Sequence, residues 1–193
     1  MRYRAALLGV VGLLVAQPSW ATTYAIDRDH STVGFKIRHL FSNVTGSFDE
    51  YQGTVNYVAG HPEQWSAEAT IQAASINTKT PPRDKHLRSA DFFDVEKYPT
   101  LTFKSTGVKN ATNTTAQLTG DLTIHGVTKP VALDIEIHGA GKDPWGNVRA
   151  GFSGRTTINR TDFGLHWNQA VETGGVLVGE DVEILLEVEG IVK

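Results

Sequence analysis

The sequence predicts an all-β fold: an antiparallel, closed β-barrel of about eight strands, with one short helical crossover (about residues 82–98) at one end. Three observations carry this expectation. Apolar and polar residues alternate with period two along most of the chain, the pattern of half-buried strands. Gly, Asn and Asp turn residues separate most of these stretches. Only Pro81 to Tyr98 interrupts the alternation with residues that suit helix.

The chain begins with a segment that is not part of the fold. Arg2 and Arg4 precede an apolar run, Ala5 to Val15, and Ser19-Trp20-Ala21 puts small residues at the two positions a signal peptidase reads. The run is too short for a bilayer span of about 20 apolar residues. Residues 1–21 are therefore expected to be a cleaved signal peptide. Residues 22–193 are expected to form a single exported domain, located in a bacterial periplasm, with no stable membrane insertion.

The strands follow in order. Val33, Phe35 and Ile37 share one face of "HSTVGFKIRHL", with Lys36 and Arg38 on the other. "GSFDEYQGTVNYV" supplies Phe48. In "SAEATIQA", Ala67, Ala69, Ile71 and Ala73 alternate with Glu68, Thr70 and Gln72. "TLTFKSTGVKN" supplies Leu101 and Phe103. "QLTGDLTIHG" and "VTKPVALDIEIHG" read as two arms of a hairpin turning near His125-Gly126. Leu122 and Ile124 lie on one arm, and Val131, Leu133, Ile135 and Ile137 on the other. "VRAGFSGRTTINR" offers Ala150, Phe152 and Ile158, with Gly151 and Gly154 marking bulges or bends. The last strand alternates Val182, Ile184, Leu186 and Val188 with Glu183, Leu185, Glu187 and Glu189. So many amphipathic strands call for a closed barrel or a sandwich, because closure removes unpaired edges.

The exceptional segment is "RDKHLRSADFFDVEKYPTLTF". Pro81-Pro82 ends the preceding strand, and proline is well tolerated where a helix begins. Arg83 to Ser89 has the length for about two turns. Ser89 or Asp91 can cap a second short helix carrying Phe92, Phe93 and Val95, which Pro99 stops. This crossover is expected to plug one mouth of the barrel, with Phe92 and Phe93 facing inward and the charges facing water.

Composition narrows the function. The 18 basic and 21 acidic residues give a formal charge of −3, and loss of Arg2 and Arg4 with the leader leaves −5. Such a chain has no basic field with which to neutralise phosphates, so nucleic acid is not an expected partner. There is no cysteine, which excludes a thiol nucleophile, a thiolate metal site and disulfides.

The pieces "YAIDRDHSTVGFKIRHL", "GSFDEYQGTV", "SINTKTPPRDKHLRSADFFDVEKYPTLTFKST", "GDLTIHGVTKPVAL", "INRTDFGLHW" and "VGEDVEILLEVEG" together resemble the YceI-like family of exported, lipocalin-like polyisoprenoid-binding proteins. The resemblance spans nearly all of residues 22–193, and its most specific part is Arg83 to Phe103. It implies an elongated apolar cavity that holds an isoprenoid such as a quinone or polyprenyl chain, or another long-chain lipid. Membership does not by itself choose among these ligands, and the sequence permits a homodimer.

A long isoprenoid has few polar handles, so binding it requires a dry apolar tunnel. Val33, Phe35, Ile37, Phe48, Ile71, Leu101 and Phe103 are candidate wall residues from the first half of the barrel. Leu122, Ile124, Leu133, Ile135, Phe152, Ile184 and Leu186 are candidates from the second half. Phe92, Phe93, Phe163 and Leu165 complete the set from the connecting segments. Ala67, Ala69 and Ala73, with Gly34, Gly46, Gly53 and Gly154, leave interior space. Plain core packing explains the same alternation. A stress-related interaction protein with a packed barrel therefore stands as the alternative.

Cations at a mouth would suit a polar or anionic head group, and Arg83, His86, Arg88 and Arg160 are the candidates. For Arg160 in "NRTDFG", an ion pair with Asp162 that fixes a turn is the simpler expectation. The seven histidines lack His-x-His or His-Glu-x-x-His spacing, so no metal is expected. Ser153 lies in a strand-like context without a G-x-S-x-G elbow, and no nucleophile comes with a base. The expectation is a binding protein without catalysis or cofactor.

Overall fold

In the computed structural model the described residues are 22–170 and 176–192. The expected signal peptide lies outside them. The strands are β1 (Thr22–Ile26), β2 (Thr32–His39), β3 (Ser42–Phe48), β4 (Tyr51–Tyr57), β5 (Ser66–Gln72) and β6 (Ile76–Asn77). Helix α1 (Pro81–Arg88) follows, then β7 (Thr100–Lys109), β8 (Thr115–Ile124), β9 (Val127–Lys142), β10 (Val148–Asn159) and β11 (Val178–Val192).

The first six segments are three bent strands. β1 and β2 bend at a 3₁₀ turn, Arg28–His30, and both lie along β11: Ala25 faces Ile191 and Phe35 faces Ile184. β3 and β4 bend at Asp49-Glu50, with β3 on β2 and β4 on β1. β5 and β6 bend at the 3₁₀ turn Ala73–Ser75, with β5 on β4 and β6 on β3. Each bend is tied to its neighbours. Asp49 N donates to Ser75 O at 3.1 Å, Gln72 N to Glu50 O at 2.8 Å, and the Arg28 guanidinium to Asp49 O at 2.6 Å.

From β5 the order runs β7, β8, β9, β10 and β11, and β11 returns to β1. The result is a closed, fully antiparallel barrel of eight up-and-down strands, as the alternation predicts. His125 (φ 51°) and Gly126 (φ 75°) form the two-residue turn that joins β8 and β9. These are the left-handed conformations a type I′ hairpin needs. A bulge falls at Gly151/Phe152, but Gly154 stays in register between Ile135 and Leu186.

One edge is left inside this ring. Among the described residues β6 pairs only with β3, through two residue pairs. α1 packs against it, and Arg88 donates from Nε to Ala74 O (2.6 Å) and from Nη2 to Ile76 O (2.7 Å). The crossover thus covers an edge that would otherwise expose backbone acceptors.

The crossover differs from expectation in two respects. The expected second helix does not form: residues 90–97 are successive turns, with Asp94 at φ 44°. Their amides fold back onto the end of α1, Phe93 N to Leu87 O (3.0 Å) and Val95 N to Arg88 O (3.2 Å), which no continuing helix could do. Nor do all charges face water. Asp84 is buried, and its Oδ1 accepts from Thr78 N at 2.8 Å and from Thr78 Oγ1.

Candidate functional site

The inward positions of the barrel do not fill it. They enclose an apolar cavity of about 560 Å³. Its wall at the helical end belongs to the larger core cluster, around Phe48, Ile71, Leu101 and Leu122. Its far end meets a smaller cluster of Tyr24, Ile137, Ala150 and Phe152.

All eighteen apolar residues singled out from the sequence border this cavity. Val33, Phe35, Ile37, Phe48, Ile71, Leu101 and Phe103 do so from β2, β3, β5 and β7. Leu122, Ile124, Leu133, Ile135, Phe152, Ile184 and Leu186 do so from β8 to β11. Phe92, Phe93, Phe163 and Leu165 close the helical end. The period-two pattern puts one face of each strand inward, which is why the alternation located them.

Trp65, Tyr57 and Trp167 also line the cavity and escape the sequence reading. Trp65 and Trp167 lie in connecting segments with no periodicity. Trp167 completes an aromatic group at the helical end: the His86 ring lies 5.0 Å from Phe92 and 4.8 Å from Trp167, with Phe92 and Trp167 5.1 Å apart.

The four candidate head-group cations separate into two kinds. Arg83 and His86 border the cavity. Arg83 donates from Nε to Thr78 Oγ1 (2.7 Å) and from Nη2 to Thr78 O and Thr80 Oγ1 (both 3.0 Å). Among the described residues its Nη1 makes no hydrogen bond. His86 Nε2 stands 2.8 Å from Asp91 Oδ2. Arg88 does not border the cavity, because its guanidinium serves the β6 edge.

Arg160 borders the cavity but is buried, and it does not pair with Asp162, which is exposed. Its guanidinium donates instead to the carbonyls of Gly179 (2.8 Å), Leu165 and Trp167 (3.0 Å). A 3₁₀ turn, Arg160–Phe163, followed by Gly164 at φ 80°, brings the Leu165 and Trp167 carbonyls around it, and β11 supplies that of Gly179. Burial away from water pushes the Arg160 pKa down. Its role is to hold the 160–167 segment as part of the wall.

The small residues also divide. Ala67 and Ala69 border the cavity, whereas Ala73 is fully buried in the core. Space above Gly46 is taken by the Phe35 ring, and that above Gly53 by the Glu68 carbonyl and Ile26. Ile135 and Leu186 crowd Gly154. Of the small residues, Ala67, Ala69, Gly34 and Gly154 border the cavity, whereas Gly46 and Gly53 do not.

Two further polar groups involve residues with metal-ligating or nucleophilic side chains, and of these Ser153 borders the cavity. Asp27, His30 and Glu189 bring one ligand atom each within 4.8 Å of one another. Arg149 Nη1 already donates to Asp27 (2.6 Å) and Glu189 (2.5 Å), and its Nε to Asp143 (2.8 Å). The guanidinium supplies the positive charge there, and these acids fasten the β9–β10 hairpin to β11 and the β1–β2 bend. His138 Nε2 lies 3.1 Å from Ser153 Oγ in an exposed pair.

A family model for the YceI-like domain matches residues 24–190, almost the whole described barrel. The chain belongs to the YceI-like family. It is 43% identical over 181 residues to a UPF0312 protein of Ectopseudomonas mendocina, covering 92% of each chain. The crystal structure of a YceI protein from Campylobacter jejuni is 37% identical and superposes with a TM-score of 0.71, covering 86% of this chain and 96% of that one. A polyisoprenoid-binding domain from Saccharophagus degradans, implicated in plant cell wall breakdown, is 15% identical with a TM-score of 0.68, covering 90% and 100%. That last likeness establishes a shared YceI-like fold.

Proposed function

We propose that this YceI-like chain is a periplasmic, non-catalytic binding protein that carries or sequesters an isoprenoid lipid, a quinone or polyprenyl chain, in the barrel cavity. The observation that carries the reading is the cavity itself: apolar, about 560 Å³, and running inside a closed wall. A packed barrel would leave no such space, which weighs against the interaction-protein alternative. Burying each methylene contributes about 0.8 kcal/mol, so an isoprenoid chain gains affinity from length without specific polar partners. The eighteen lining residues named above are the proposed chain contacts. Arg83 and His86 are the proposed head-group contacts, because they are the candidates on the lining that keep a nitrogen off backbone carbonyls: Nη1 of Arg83, among the described residues, and the imidazole ring of His86. The relative from Saccharophagus degradans, described as a polyisoprenoid-binding domain, lends the reading fold-level support.

The test is mass spectrometry of an organic extract from natively purified protein, with the intact mass of the same sample. An isoprenoid at near-stoichiometric amount and an N-terminus at Thr22 are expected. A chain that carries no isoprenoid, and takes up none from added quinone, overturns the lipid-binding reading. An N-terminus at Met1 overturns the periplasmic one.

A further inference from the structure

We propose that Trp65 is the length gauge of the site: its indole closes the far end of the lumen and sets the longest isoprenoid tail that the barrel accepts. This rests on the lipid-binding reading above, with the head group at Arg83 and His86, and adds which chain lengths the cavity selects.

The ladder between β5 and β7 stops short of the far end. It runs from Gln72 opposite Thr100 to Glu68 opposite Lys104, and no pairing between these strands continues beyond it among the described residues. β7 goes on to Lys109 beside β8, past a bulge between Ser105 and Gly107. A bulge bends its strand and is one way in which pairing ends. Ala67 N accordingly donates to the Ser105 hydroxyl, at 2.9 Å, in place of a ladder carbonyl. Outside this seam lies a cleft with polar walls, bordered by Glu63, Ser105, Thr106 and Asn110.

Trp65 stands in the seam. It borders both the lumen and the outer cleft, as do Ser66 and Val108. Of the three it has by far the largest side chain, so the indole is the main partition between the two spaces. The connection before it fixes the ring. The 3₁₀ turn Pro62–Gln64 ends at Trp65, whose backbone N donates to Pro62 O at 3.2 Å. Its Nε1 donates to Val58 O at 2.6 Å. The indole packs on Tyr57, with centroids 5.1 Å apart, and Tyr57 meets Phe152 at 5.3 Å. An indole has one donor, and here a backbone carbonyl takes it, so the ring offers the lumen only apolar surface.

The two ends of the lumen thus differ in chemistry. Arg83 and His86 border it at the helical end, and Tyr57, Trp65 and Phe152 border it at the far end. A ligand with a polar head and a hydrocarbon tail lies with its head toward the crossover and its tail toward Trp65. A tail that reaches the indole before it is fully enclosed has to fold back or stay partly in water, and it forgoes the burial of every methylene left outside. Removing the indole vacates its own volume and joins the lumen to the cleft behind it.

The experiment offers an equimolar mixture of ubiquinones of graded tail length to the natively purified mature chain, as wild type, Trp65→Ala and Trp145→Ala. Mass spectrometry reads the lengths retained, beside any co-purified isoprenoid. Trp145 is an exposed tryptophan in the β9–β10 turn at the same end, and it does not border the cavity. Wild type is expected to show an upper limit of tail length. In Trp65→Ala the ratio of the first excluded length to the longest accepted one should rise about tenfold or more, the factor that burying as few as two further methylenes gives. A ratio within one sample does not depend on the fraction of protein that is folded. Trp145→Ala should keep the wild-type limit. Should Trp65→Ala be too unstable to load, Trp65→Leu is the replacement, with a rise in the same direction. An unchanged limit in the Trp65 variant, or an equal rise in Trp145→Ala, overturns the gauge. So does a wild type that retains all lengths alike. A wild type that carries no isoprenoid and takes up no ubiquinone overturns the lipid-binding reading instead.

Discussion

Phe92 and Phe93 are adjacent in the chain but meet different partners. Phe92 is buried between His86 and Trp167, whereas the half-buried Phe93 meets Phe48 edge to face, with ring centroids 5.7 Å apart. Both border the cavity. Phe92 anchors the crossover to the 160–167 segment, so Phe92→Ala should cost about 3–5 kcal/mol, the range for a fully buried phenylalanine. Phe93→Ala should cost less stability and release more lipid. Melting curves paired with lipid extraction check this, and equal retention by both variants would make the pair purely structural. That the two rings turn inward was legible, because adjacent aromatics among charges have few other uses. Their partner Trp167 was not, since "GLHW" carries no period. Arg160 misled for a related reason. Sequence proximity favours Asp162, but three backbone carbonyls satisfy the guanidinium, and carbonyl positions cannot be read from side-chain identity.

At the scale of elements, the crossover is held by a polar knot. Thr78 donates twice to Asp84 and accepts from Arg83, which pins the start of α1 to the end of β6. Burial opposes ionisation of Asp84. The Thr78 hydroxyl and amide, with Arg88 and Arg83 nearby, outweigh it and leave the pKa below the ordinary carboxylate value. A depressed folded pKa means that this contribution to stability is complete above the unfolded value of about 3.9 and fades as pH falls through the lower folded one. Asp84→Asn should therefore destabilise by about 1.5–3 kcal/mol at neutral pH, the worth of hydrogen bonds to a charged group. The gap from wild type should narrow below about pH 4. Denaturant melts at both pH values check it, and a gap independent of pH would mean the charge is irrelevant. Pro81-Pro82 made α1 legible. The turns at 90–97 were not, because nothing in the composition marks Asp94 for a left-handed conformation. The bends in the first three strands were hidden as well: alternation runs through Asp49-Glu50 and Arg28–His30 with only a brief pause.

For the molecule as a whole, the question is how a barrel of eight strands stays hollow, since that size is also able to fill itself with side chains. Two inward glycines do not help. The Phe35 ring occupies the room above Gly46 and the Phe103 ring that above Gly120. These aromatic rings fill the space a side chain at either glycine would need. The lumen also reaches small residues, Ala67 and Ala69 on β5, Ala116 on β8, Gly34 on β2 and Gly154 on β10. That small residues leave space was legible in "SAEATIQA". Which of them do so was not, because it depends on rings reaching across from neighbouring strands. Ala69 faces Gly53 on β4 and Phe103 on β7, so a larger side chain there has no wall pocket to enter and must project into the lumen. Ala69→Phe should then fold with a melting temperature within the loss of about 1–3 kcal/mol expected of overpacking. The isoprenoid extracted from it should be shorter than that from wild type, or absent, because the ring crosses the path of the chain. Extracting and sizing the lipid from both proteins decides the matter. If Ala69→Phe returns the same lipid in the same amount, the chain does not run past β5, and the ligand must lie wholly toward the helical end.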